Sequence, residues 1–248
     1  MEVHAHTHTP RKKWTHYLWE FLMLFLAVFC GFQAENIREQ KVERHREKDY
    51  IKSFINNVKA DTAELRWALE SNRLRLSFLD SLVAMKKTDL ALPENIKLVY
   101  QHYLNSRFFP DFISNDATML QLKNSGNLRL IKKIMVADKI LSYDALNKII
   151  TERSELLRSA TIRTGQAASP LMDLTITRDS LFYNKNMLLQ QPASLSKDTE
   201  KLRSFFNTVT EEARIAAAYI RFLSAHYKQA DSLIHLMQKE YNLNPESN

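Results

Sequence analysis

Four groupings of side chains carry residue types that do chemistry. Asp231 and His235 stand four apart, with His226 a little over two turns earlier, so a carboxylate and imidazoles can share one helix face. His16 and Glu20 have the same four-residue spacing. His4, His6 and His8 alternate near the N-terminus and are of a type that ligates Zn²⁺, Ni²⁺ or Cu²⁺. Glu211 and Glu212 are adjacent acids. A catalytic or metal site needs further groups at fixed geometry, and the sequence identifies none. There is no His-Glu-x-x-His, Walker A, Gly-x-Ser-x-Gly or dinucleotide fingerprint, and no Glu-x-x-His pair of the di-iron kind. Asp231, His235 and His226 therefore read as a solvated helix face, Glu211 and Glu212 as part of an exposed turn, and the alternating histidines as an unstructured tail. The expectation is a non-enzyme with no catalytic residue, no metal ligand and no cofactor.

Glu20 differs from the others in where it lies. Residues 14–34 are almost entirely apolar, and no charge occurs from Phe21 to Phe32. At 1.5 Å per helical residue the stretch is ~31 Å long, close to the hydrocarbon thickness of a bilayer. Trp14, Tyr17 and Trp19 cluster at one end as an aromatic belt, behind Arg11, Lys12 and Lys13. These six residues are the expected interface anchors of a single transmembrane helix. Phe32, Gln33 and Ala34 make no small-x-small cleavage site, so an uncleaved signal anchor is expected. The contiguous cations before the span argue for a cytoplasmic tail at 1–13 and a body outside the cytoplasm, in the cell (inner) membrane. The cations at 38, 41, 44, 46 and 48 argue the other way. An acid at membrane depth is costly unless partnered. His16, on the same face, is the nearest partner, and the pair is a candidate intramembrane contact or proton site.

Composition narrows the rest. Only 3 of 248 residues are glycine, too few for a Rossmann fold, a P-loop enzyme, a propeller or a β-sandwich. Cys30 is alone, which excludes an internal disulfide framework and a Cys-based zinc site. The net charge of +7 comes from interleaved signs without a basic stripe, so no nucleic-acid partner is expected.

The body reads as helices throughout. No glycine or proline occurs from Phe32 to Leu92, which predicts one long helix. Residues 35–49 are charged on every face and read as a solvated stalk. From residue 50 an apolar stripe begins: Ile51, Val58, Leu65, Asn72 and Leu79 recur every seven, with Ile55, Thr62, Leu69, Leu76 and Val83 four after each. Asn72 is the polar residue on this seam, where it can set register. Both an intramolecular bundle and a parallel coiled-coil dimer fit the stripe, and the bundle is favoured by the helices that follow.

Pro93 suits a helix start and predicts a helix to about Phe108. A short helix is expected from Asp116 to Asn124. Gly126 supplies a left-handed position and Asn127 caps the next helix, a helix-corner that leads into residues 128–164. Gly165 is read as that helix's end, Ser169 and Pro170 as a helix start, and residues 174–177 as extended. Short helical pieces are expected to about residue 196, then a last helix over 197–242 and a disordered end at 243–248. The predicted fold is all-α: an N-terminal transmembrane helix, a charged stalk and an antiparallel bundle over 50–242.

The segment WTHYLWE at 14–20, the apolar run after it, Ala34, Glu35 and Asn36 resemble the start of an uncharacterised bacterial family of small single-span proteins. Residues 122–131, LKNSGNLRLI, are similar to a Ser-Gly-Asn-Leu segment in the same group. The family has no known function, so the resemblance implies only membrane residence and a helical body. The functional expectation is a tethered interaction or scaffolding module. Its expected partners are the bilayer and another membrane or extracytoplasmic protein, with a homo-oligomer possible. The alternative is a sensory or accessory subunit that uses Glu20 within the membrane.

Overall fold

The computed structural model describes residues 14–177 and 194–243. The tail with its histidines, the anchors Arg11, Lys12 and Lys13, most of the segment before the last helix and the final five residues lie outside the described residues. The chain divides into two units, Met1–Asp49 and Tyr50–Asn248.

The first unit is helical wherever it is described. Helix α1 (Trp14–Ala84) begins in it and continues into the second unit without interruption at Gly31. One apolar glycine costs a helix only ~1 kcal/mol, too little to break it. Residues 14–49 are exposed except Glu47, which is buried, and Asn36 and Glu43, which are half-buried. Along the charged stretch Arg38 donates to Glu35 at 2.8 and 2.6 Å, the i,i+3 pairing that an all-polar helix uses in place of a core.

The second unit is an all-α bundle of α1's C-terminal half, α2 (Pro93–Asn105), α3 (Ala117–Asn124), α4 (Ile134–Ala168) and α5 (Thr199–Glu240). Cross-helix pairs fix the directions. Asp61 meets Tyr143 and Arg75 meets Thr161, so α1 and α4 run parallel. Arg75 meets Glu212 and Arg66 meets Tyr227, so α5 runs antiparallel to them. Ile51, Val58, Leu65, Asn72 and Leu79 are all buried, as the seven-residue repeat predicts. A fully buried row that the repeat does not predict runs through Phe54, Asp61, Ala68, Arg75 and Leu82, three residues after each member of the first row. Of the apolar row four residues on, Ile55 and Leu69 are buried, and Thr62, Leu76 and Val83 are half-buried.

Several boundaries differ from the sequence reading for local reasons. α2 stops at Asn105, and residues 106–116 carry no regular structure. Leu130 and Ile131 are both buried. The chain makes a 3₁₀ turn there, Asn127–Leu130, and α4 starts only at Ile134. Gly165 does not end α4, which runs on to Ala168. A Cβ there would stand 3.1 Å from the Arg107 guanidinium, so the glycine admits a neighbour. Ser169 and Pro170 follow a helix end rather than begin a helix, and Leu174–Thr177 is a 3₁₀ turn, not an extended segment. α5 opens at Asp198, whose carboxylate accepts from Glu200 N at 3.0 Å and Lys201 N at 3.2 Å.

Candidate functional site

In the first unit the apolar stretch of α1 exposes its large side chains, among them Phe21, Leu24 and Val28. None of its most apolar window is buried. Trp14, Tyr17 and Trp19 are exposed at one end of it, and Cys30 is exposed further along. His16 Nε2 lies 3.2 Å from Glu20 Oε1, both side chains half-exposed on one face. The sequence spacing thus produces a real contact. It places an imidazole and a carboxylate beside Met23, Leu24 and Ala27, which continue the same face.

The second unit holds a buried polar spine that sequence reading did not find. Arg75 and Glu212 form an ion pair with both side chains 1% exposed. Arg75 also donates from Nε to Ser106 O at 2.8 Å and from Nη2 to Thr161 Oγ1 at 2.7 Å. Burial pushes the Arg75 guanidinium below its usual range. The Glu212 carboxylate opposes that shift, and nearby Arg107 adds to it. Arg75 Nη1 and Glu212 Oε2 make no hydrogen bond to protein. Glu212 is therefore no exposed-turn residue. It sits inside α5 on the buried face, because that helix packs its 212 position against Arg75.

The segment 106–116 is gripped through its backbone and the side chains of Asp111 and Asn115. Asn72 Nδ2 donates to Pro110 O at 2.8 Å and to Ala68 O at 2.9 Å. Asn57 Nδ2 donates to Asn115 Oδ1 at 2.6 Å, and Asn115 N donates to Asp61 Oδ1 at 2.7 Å. Asp111 accepts from Ser154 at 2.5 Å and pairs with Arg158 at 2.9 Å. The seam asparagine thus reads a carbonyl of its own chain. Ordinary helix rules place polar residues of α1 outside. Here they face a non-helical segment whose carbonyls and amides need partners once buried.

Asp61 and His226 complete the spine. Tyr143 donates to Asp61 Oδ2 at 2.6 Å. Desolvation raises the Asp61 carboxyl above its usual range, against the lowering effect of the Tyr143 and Asn115 bonds. The same burial drives the Tyr143 hydroxyl far above its ordinary value. His226 is fully buried, stacked on Tyr143 at 4.5 Å between ring centroids. Its Nε2 bonds Asn147 Oδ1 at 2.5 Å. Burial lowers its pKa to about 4. It does not share the solvated face of Asp231 and His235, which lie 3.8 Å apart and exposed.

Gly126 occupies the left-handed region at φ 66°, as its place between two short helical pieces requires. Asn127 does not cap. Its Nδ2 donates to Tyr50 Oη at 2.8 Å, tying the corner to α1. Among the described residues no three His, Cys, Asp or Glu side chains are grouped to hold a metal ion.

What this arrangement does chemically is hold neutral or paired groups away from water. No protein-family model, no curated protein and no solved structure matches the chain.

Proposed function

We propose that the protein is a single-pass membrane protein whose helical bundle is an interaction or scaffolding module. In this reading residues 14–34 cross the cell (inner) membrane of a bacterium as an uncleaved signal anchor. The N-terminus lies inside and the bundle outside the cytoplasm. The observation that carries it is the complete exposure of the apolar stretch of α1. Apolar surface costs ~25 cal/mol per Å² in water, and a continuous patch on that scale marks a membrane or partner. The bundle's buried polar groups bond one another and the backbone, which supports a structural role.

A second reading, an accessory or sensory subunit, draws on the His16–Glu20 contact. A carboxylate in an apolar helix favours a neighbouring polar group over lipid. One experiment addresses both readings: in-membrane crosslinking of the full chain, wild type and Glu20→Leu, resolved on blue-native gels. The interaction role requires a second protein recovered with wild type. Recovery of the protomer alone contradicts it. Loss of that partner in Glu20→Leu supports the accessory reading, and an unchanged complex removes it.

A further inference from the structure

The second unit carries a cleft of about 520 Å³ between α1 and the chain that ends α2. Small-molecule pockets occupy ~300–1,000 Å³. One wall is a single face of α1, where Trp67, Ser71, Leu74 and Phe78 follow one another at four- and three-residue steps. Asn105 and Phe108 form the other side. The Trp67 and Phe108 rings meet edge to face at 6.2 Å, so the wall is braced by an aromatic pair. Trp67 is 44% exposed, and Leu74 and Phe108 are each 60% exposed. Single exposed apolar residues are ordinary, but three large ones converging on a concavity are not.

Arg75 is the one buried residue among those that line the cleft. Its guanidinium, paired with Glu212, sets a buried positive charge behind a hollow whose other polar lining is Ser71 and Asn105. Arg75 and Arg107 both donate to Thr161, so two guanidinium groups stand near the one carboxylate of Glu212. No acidic side chain lines the cleft. Low-dielectric walls focus such a field into the space they enclose.

We propose that this cleft binds a small organic carboxylate with an aromatic or branched apolar body. The body packs on Trp67, Leu74 and Phe108. The carboxylate turns toward the hydroxyl of Ser71, the amide of Asn105 and the positive charge of Arg75. A protein partner fits less well, because a specific interface uses ~20–30 residues a side, far more than line this cleft. The proposal does not depend on the membrane reading.

The test is isothermal titration of the full chain in nanodiscs, with empty nanodiscs as the blank. The probes are 3-phenylpropionate, indole-3-acetate and the uncharged 3-phenylpropionamide. Saturable heat with at least one carboxylate is expected, with the amide at least about fivefold weaker than 3-phenylpropionate. Leu74→Asp, at an exposed position, is expected to weaken the carboxylate at least about tenfold through like charge. Leu141→Asp on α4 is expected to leave it unchanged. Ser71→Leu, which fills the cleft, replaces Leu74→Asp if circular dichroism shows lost helicity. No saturable binding by either carboxylate overturns the proposal and leaves the patch to a macromolecule. Equal binding of amide and carboxylate, or indifference to both cleft variants, overturns it as well.

Discussion

Removing either Arg75 or Glu212 leaves the other charge inside the bundle without its partner. Breaking a buried pair from one side typically costs ~3–5 kcal/mol, whereas replacing both members by apolar groups of similar size is often near neutral. Arg75→Met and Glu212→Leu should therefore each lower the thermal midpoint strongly. The double variant should recover more than half of the summed loss, though Ser106 O and Thr161 Oγ1 still lose a donor. Thermal unfolding followed by circular dichroism measures this, and losses that simply add would contradict the pairing. His226 gives a pH signature. Its folded-state pKa of about 4 lies below the ordinary 6.5, so between those values only the unfolded chain binds the proton. Stability is present above pH 6.5 and falls as the pH drops toward 4, by about 3 kcal/mol in order of magnitude. His226→Phe should flatten that limb. Asp61, whose carboxyl is raised, acts in the opposite sense: its contribution is present at low pH and lost as pH rises through its folded value. It is common to both proteins, so the difference between their urea-unfolding profiles isolates His226. Identical profiles would mean the imidazole is not held neutral.

At the scale of elements, what was legible followed apolar periodicity. The first buried row of α1 was readable because four of its five members are apolar and recur every seven residues. The second row was hidden because Asp61 and Arg75 interrupt it, and a hydrophobic pattern passes over buried charges. The apolar row beside it is the one periodicity shows, and of its members Ile55 and Leu69 are buried. Pro93 marked the start of α2 because proline suits the first helical turn. No cap marked the start of α4, since Lys133 caps nothing with its side chain. Gly165 misled for a related reason: glycine signals a helix end only when it takes the left-handed conformation. Gly126 does so, and Gly165 is an ordinary helical residue that leaves room for Arg107. The candidate site was half legible. His16 and Glu20 were found by spacing within one helix. Arg75, Asp111, Glu212 and His226 lie on α1, the 106–116 segment and α5 and find their partners on other elements, and no local rule brings such distant positions together.

For the whole molecule, two kinds of surface stand side by side in one chain. The second unit buries a continuous apolar core and even several charged residues. The described part of the first unit buries almost nothing and exposes a run of Phe, Leu, Met and Val side chains. Water is a poor solvent for that run, and a hydrocarbon layer about as thick as the helix segment is long is a good one. The most direct test is alkaline carbonate extraction of membranes that hold the full chain. The intact protein should stay with the pelleted bilayer. Its release into the supernatant would contradict a transmembrane anchor.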